Sequence, residues 1–120
     1  NRILHAGYCK TFEEYASLLW EADICPITSI QDFFGISIAE AVYCNTYPLL
    51  PNRLTYPEIY NKQINKHLFY NDKKDLINKV EILIKNKEVD SEGIPKNLIQ
   101  RFDWSCMIKK YDQLFDSMVK

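Results

Sequence analysis

Residues 28–48 limit the folds open to this chain more than any other segment. An apolar run ends at Thr28, a turn containing Gly35 follows, and a helix and a second apolar run come directly after it. A buried strand, a tight turn and a helix that returns to another strand form a β-α-β unit, whose strands lie parallel. Carboxylates flank the turn, with Asp32 before it and Glu40 inside the helix. The segment therefore predicts a parallel sheet with a polar site where the first strand ends.

Strand-like and helical patterns alternate along the whole chain. We expect strands at 3–8, 24–28, 47–50 and 67–70, a polar loop at 88–95, and helices that begin after Thr11, Gly35, Asp72 and Asp103. Pro26 is unusual in a buried strand, because proline cannot donate to a ladder. The alternation predicts an α/β fold with a partial doubly wound, Rossmann-like parallel sheet of about four strands and flanking helices.

Composition is typical of one compact domain over residues 1–120. The chain is 47% hydrophobic, enough for a real core, but it lacks an apolar run that could span a membrane. It carries no recognisable signal peptide, which favours the cytoplasm. The cysteines lack the C-x-x-C spacing of metal sites, so we expect reduced, buried thiols and no metal. They are Cys9, Cys25, Cys44 and Cys106.

The last helix carries an apolar stripe at helical spacing, which predicts core packing. The stripe consists of Trp104, Met107, Ile108, Tyr111, Leu114, Phe115 and Met118.

Charge is unevenly spread around a net value of −1. Residues 1–60 hold 3 basic and 7 acidic residues (−4), and residues 61–120 hold 12 and 9 (+3). This balance argues against strong nucleic-acid binding by these residues alone. The lysines of the second half form either solvated helix faces or a weak basic rim. They are Lys62, Lys66, Lys73, Lys74 and Lys79.

The start of the helix after Gly35 is suited to phosphate. Unpaired backbone N–H groups and the helix dipole attract anions there. Glu40, about one turn into the helix, is placed to accept the hydroxyls of a ribose, and Asp32 can face a group on the far phosphate. Taken alone, the two carboxylates are as typical of a solvated surface as of a site. Together with the turn they indicate a site for a nucleotide diphospho-sugar.

The turn resembles the E-x7-E motif of retaining glycosyltransferases of family 4, which have the GT-B fold. The motif positions are occupied by Asp32, Phe34, Gly35, Glu40 and Ala41. Asp32 replaces the usual first Glu, and Asn45 replaces the Gly that normally ends the helix. Asparagine tolerates the left-handed conformation required there. The Pro-Glu-Ile at 57–59 and Trp104 also resemble the family, in the same order.

Within that family, the chain is most similar to the tRNA-queuosine mannosyltransferase group. The similar segments are Phe33–Gly35, Glu40–Cys44, Tyr47–Leu49 and Leu54–Ile59. The resemblance implies GDP-mannose as donor, a modified base of tRNA as acceptor, transfer with retention, and no metal or cofactor beyond the donor.

The resemblance also implies a role for each residue of the turn. Donor sugar and phosphate would contact Ser29 (or Thr28), Asp32, Phe33, Phe34, Gly35 and Ile36, with the backbone amides of 34–36 at the distal phosphate. Glu40 would bind the ribose, and Tyr8 and Cys9 would border the nucleobase. No residue of this chain is assigned as the catalytic acid or base.

The family has further parts that this chain does not contain. The resemblance implies that residues 1–120 are the C-terminal half of a donor-binding domain, inactive without two earlier strand–helix units and an N-terminal acceptor domain. We expect strand 3–8 to pair with the next strand directly, or across a dimer formed through an open sheet edge. Two alternatives remain: a nucleotide-sugar epimerase of GT-B architecture, and a non-catalytic flavodoxin-like module that binds a phosphate or a partner.

Overall fold

The computed structural model describes residues 2–86 and 93–119, and its centre is a parallel sheet of three strands. In chain order the elements are α1 (Phe12–Glu21), β1 (Ile24–Pro26), α2 (Ile36–Tyr43), β2 (Tyr47–Pro51), α3 (Tyr56–Ile59), a 3-10 turn (Lys66–Leu68), β3 (Phe69–Tyr70), α4 (Lys73–Asn86), α5 (Lys96–Gln100) and α6 (Trp104–Met118). The strand order is β1-β2-β3, with Ile24 opposite Tyr47 and Leu50 opposite Phe69. The predicted α/β class and parallel sheet are confirmed.

The central strand β2 forms the middle of the core. All of its residues are buried, and Leu49 and Leu50 pack with Val42 of α2 and with Tyr56 of α3. Pro26 lies in β1, an edge strand of the described sheet, where a missing N–H leaves no neighbouring carbonyl unpaired. Proline is therefore accommodated in β1 because only β2 pairs with it.

Helix α2 ends as its sequence predicts. Asn45 adopts a left-handed φ of 67°. The Asn45 N–H donates to the Val42 carbonyl at 3.1 Å, and the Thr46 N–H donates to the Ala41 carbonyl at 2.9 Å. These two bonds make a Schellman motif, in which asparagine substitutes for the usual glycine. The chain is thereby turned directly into β2.

The predicted helix starts are also confirmed. Thr11 caps α1, Asp72 accepts from the backbone of Asp75 at 2.9 Å, and Asp103 accepts from that of Ser105 at 2.8 Å. The short helices α3 and α5 were not expected, since each is only about one turn long. The predicted loop at 88–95 lies mostly outside the described residues.

The prediction of a strand at 3–8 is wrong. These residues form no strand, and the side chains of Leu4 and Tyr8 are fully or almost fully exposed. The described sheet therefore has three strands and not four. A lone extended segment gains neither ladder hydrogen bonds nor apolar burial unless another strand lies beside it.

The prediction that the α6 stripe packs in the core is wrong as well. Trp104, Leu114, Phe115 and Met118 are more than half exposed, so no described element buries these side chains. Trp104 and Tyr111 instead stack on each other, with ring centroids 5.8 Å apart.

Among the described residues, no helix combines the length and the hydropathy that a membrane span needs.

The four thiols are free, but they do not share one environment. Cys44 is buried at the end of α2, Cys25 and Cys9 are half-buried, and Cys106 is exposed on α6. The expectation of buried thiols holds for Cys44, is met only in part by Cys9 and Cys25, and is wrong for Cys106. The cause is the exposed position of α6.

A candidate nucleotide-binding turn

The turn between β1 and α2 is built around Gly35. This residue caps α2 with φ 77° and ψ 54°, a left-handed conformation that favours glycine. A Cβ atom at this position would lie 3.0 Å from Cδ1 of Ile38 and 3.2 Å from Cε1 of Tyr56. Both the backbone angle and the space require glycine. The tight packing brings α3 into contact with the start of α2.

Both carboxylate oxygens of Asp32 accept hydrogen bonds within this turn. Oδ1 accepts the Gly35 N–H at 3.0 Å, and Oδ2 accepts the hydroxyl of Tyr56 at 2.8 Å. Gly35 and Tyr56 are buried, so these bonds satisfy donors that solvent does not reach. Asp32 thus has a structural role that the sequence pattern did not indicate.

Glu40 also accepts a hydrogen bond from a tyrosine hydroxyl. Its Oε2 accepts the hydroxyl of Tyr15 at 2.7 Å, which joins α1 to α2. Glu40 is half-buried, and its other oxygen accepts no bond from the described residues. The bond from Tyr15 orients the Glu40 carboxylate and leaves its other oxygen free to accept ligand hydroxyls.

Both tyrosines remain hydrogen-bond donors at neutral pH. Burial, with a further contribution from the bond to Glu40, raises the pKa of Tyr15 to about 12. Burial and the bond to Asp32 likewise raise the pKa of Tyr56 to about 12. A phenol that donates to a carboxylate resists ionisation, because its anion would face another negative charge.

These raised pKa values predict a loss of stability in alkali. Above about pH 10 the unfolded chain releases its tyrosine protons while the folded chain retains those of Tyr15 and Tyr56, so the free energy of unfolding falls as the pH rises toward 12. Urea unfolding from about pH 9 to about pH 12 measures this fall. In the Tyr15→Phe variant the fall should be shallower. Parallel curves for variant and wild type would contradict the effect.

The first turn of α2 leaves a small set of backbone donors for a ligand. Asp32 already uses the Gly35 N–H, and the N–H groups of Ile38 and Ala39 both donate to the Gly35 carbonyl, at 3.0 and 3.1 Å. The N–H groups of Ile36 and Ser37 have no acceptor among the described residues. An anion at this helix end would therefore bind there, which overlaps the predicted 34–36 range at Ile36 but excludes the Gly35 amide.

The remaining turn residues have different surroundings. Phe33 is exposed, whereas Phe34 packs edge-on against Phe102 with ring centroids 4.8 Å apart. Ile36 is exposed at the start of α2. Ser29 is half-buried, and its carbonyl oxygen accepts Nη2 of Arg53 at 2.7 Å and Nε at 3.2 Å.

The loop after β2 contributes contacts that the sequence did not predict. In addition to Arg53, the hydroxyl of Thr55 donates to the Phe33 carbonyl at 2.7 Å. The partners in these contacts and in the two tyrosine–carboxylate pairs are 22 to 25 residues apart. No local pattern marks such pairs. The only available signal was the parallel order of β1 and β2, which places the loops after them at one sheet edge.

A groove of about 430 Å3 lies beside Glu40, between α1, α2 and the end of α5 with the residues that follow it. Its lining is mostly apolar and aromatic, and it includes Phe12, Tyr15, Trp20, Phe34, Tyr43 and Phe102. Tyr8 and Cys9 do not line it. Tyr8 is fully exposed, and the thiol of Cys9 lies 3.8 Å from Nε2 of His5. In the structure, the predicted site residues from Ser29 through Glu40 share one edge of the sheet. Tyr8 and Cys9 do not lie beside them.

The described residues contain no cluster of three or more side chains of the types that ligate metals. The expectation that no metal takes part stays a prediction.

Comparison with known proteins finds a similarity to part of a curated enzyme. The chain is 41% identical over 63 residues to a tRNA-queuosine alpha-mannosyltransferase of Drosophila melanogaster. The match covers 52% of this chain and 16% of that enzyme, so the chain spans less than a fifth of the relative. No family model matches the chain. No solved structure matches it either.

Proposed function

We propose that the turn at the start of α2 binds a nucleotide diphospho-sugar, and that the protein is a glycosyltransferase of the GT-B class and of family 4. The donor we propose is GDP-mannose, and the acceptor is queuosine in tRNA. The observation that carries the proposal is the pair of oriented carboxylates, Asp32 and Glu40, on either side of a helix N-terminus with free amides. The partial similarity to a mannosyltransferase supports it.

The phosphates would lie at the first turn of α2. The amides of Ile36 and Ser37 would donate to the distal phosphate, and the positive end of the helix would stabilise the negative charge that grows as the sugar departs. Arg53 adds a guanidinium at the same sheet edge, bound to the carbonyls of Ser29 and Thr28. Positive charge is needed there because the two carboxylates would otherwise repel a diphosphate.

The ribose would bind to Glu40. This residue is four positions after Ile36, about 6 Å along the helix axis, which is a reasonable step from a phosphate to its ribose. With one oxygen held by Tyr15, the other would accept the ribose hydroxyls. The aromatic groove beside Glu40 offers a surface on which the attached base could stack.

The sugar would be oriented by Asp32. Each of its oxygens already accepts one bond, but a carboxylate oxygen can accept two. The remaining capacity could receive a sugar hydroxyl from the open side of the turn. Tyr8 and Cys9 would reach the base only if residues 2–10 move toward Glu40 when the donor binds.

The test is a calorimetric titration of the full-length protein with GDP-mannose, GDP, UDP-glucose and UDP. We expect binding of the guanine pair, and a Glu40→Gln variant should bind both ligands roughly 10- to 100-fold more weakly, because it loses a charged acceptor of the ribose hydroxyls. Glu81→Gln is the matched control, since Glu81 is exposed on α4, where it forms a surface ion pair with Lys85.

Three outcomes would count against the proposal. Binding of neither nucleotide class would reject the site, and equal losses in the Glu40 and Glu81 variants would reject the role of Glu40.

Radiolabelled GDP-mannose with queuosine-containing tRNA tests the acceptor, and tRNA lacking queuosine is the control. Conversion of the donor in the absence of any tRNA would instead favour an epimerase.

A further inference from the structure

We infer that the loop after β2, taken here as residues 53–56 with the first residue of α3 included, positions the candidate binding turn. Three of its side chains donate hydrogen bonds to three different residues of the turn. Arg53 binds the Ser29 carbonyl, Thr55 binds the Phe33 carbonyl, and Tyr56 binds the Asp32 carboxylate. The inference rests on the proposed function, because the ligand contacts belong to that site.

The bonds are short and come from consecutive parts of one loop. Their lengths are 2.7 Å for Arg53, 2.7 Å for Thr55 and 2.8 Å for Tyr56. Two of them end on backbone carbonyls, so they fix the path of the turn itself and not only a side chain. A turn with so little regular structure would otherwise sample many conformations.

The backbone of the loop is consistent with this role. Leu54, between Arg53 and Thr55, has a φ of 59°, which is uncommon for a residue that carries a side chain. Such a conformation persists where the surroundings over-determine it, and here the bonds made by its two neighbours do so. The strained residue thus lies between two of the contacts that hold the turn.

The consequence for the site is preorganisation. Asp32 and the amides of Ile36 and Ser37 follow Ser29 closely in sequence, so a shift of the turn would misplace them together. Binding is weakened when contacts must be ordered at the moment of association. Thr55 is therefore a positioning residue, which acts on the ligand through Phe33 and Asp32.

A pair of variants at Thr55 tests the inference. Thr55→Val has the same shape and lacks the hydroxyl, whereas Thr55→Ser retains it. Ser117→Ala is the matched control, because Ser117 also donates a hydroxyl bond to a backbone carbonyl, 2.6 Å to that of Leu114, near the end of α6. Amide hydrogen exchange at Gly35 reports on the turn without any ligand, and titration with GDP-mannose reports on the site.

We expect the Gly35 amide to exchange roughly fivefold faster in Thr55→Val, the factor given by loss of one ordinary hydrogen bond, and at the wild-type rate in Thr55→Ser and Ser117→Ala. Affinity for GDP-mannose should fall by a similar factor in Thr55→Val alone. Unchanged exchange in Thr55→Val, or equal changes in all three variants, would overturn the inference. If the wild type binds no nucleotide, the proposed function fails, while the exchange data still decide whether the loop holds the turn.

Discussion

Replacing Gly35 with alanine is expected to lower the free energy of unfolding by about 2–4 kcal/mol. Part of this loss comes from a left-handed φ of 77° that alanine tolerates poorly. The rest comes from crowding, since the new methyl group would lie 3.0 Å from Ile38 and 3.2 Å from Tyr56. Neither neighbour can withdraw easily, because Ile38 is in the core and Tyr56 is bonded to Asp32.

Urea unfolding of the Gly35→Ala variant measures this loss, and Gly7→Ala is the control. Gly7 also has a positive φ, of 98°, but a Cβ atom there would meet nothing within 4 Å. Because residues 2–10 carry no regular structure, the chain around Gly7 can relax, and we expect a change within about 0.5 kcal/mol. Equal losses in the two variants would mean that packing around Gly35 contributes little.

Removing the carboxylate of Asp32 should have an effect of similar size. In Asp32→Ala the buried Gly35 N–H and Tyr56 hydroxyl would both lose their acceptors. Each buried donor without a partner costs about 1–3 kcal/mol, so for two donors we expect a total loss of about 2–6 kcal/mol. The site would be disrupted as well, since the capped turn leads directly into α2.

Asp32→Asn separates the structural role of this residue from its charge. Asparagine keeps an acceptor for the Gly35 N–H, and its amide can donate to the Tyr56 oxygen, so stability should fall by less than half as much as in Asp32→Ala. Thermal unfolding of both variants measures the difference. A loss in Asp32→Asn as large as in Asp32→Ala would show that the charge, and not the acceptor geometry, stabilises the turn.

The elements that could be predicted from sequence are those with local signals. The turn at Gly35, the left-handed Asn45 and the caps at Thr11, Asp72 and Asp103 all depend on residues a few positions apart. The parallel direction of β1, β2 and β3 followed from the alternation of strands and helices. Such signals sufficed for the α/β class and for the position of the candidate turn.

The remaining features depend on what lies beside each segment. Residues 3–8 and the α6 stripe have the right periodicity for a strand and for a core helix, but periodicity cannot say whether a partner surface is present. The contacts of Tyr15, Arg53, Thr55 and Tyr56 with the candidate site join segments 22 to 25 residues apart. They depend on the docking of α1 and α3 against α2, which sequence spacing does not encode.

The measurement that tests the proposed site most directly is an amide chemical-shift titration of the full-length protein with GDP-mannose. If the donor binds at the start of α2, the amides of Ile36 and Ser37 should shift first and most, and those of α4 should stay in place. The Glu40→Gln variant should show the same shifts only at higher ligand concentration. Shifts confined to other parts of the chain, or no shifts at saturating donor, would contradict a nucleotide diphospho-sugar site at this turn.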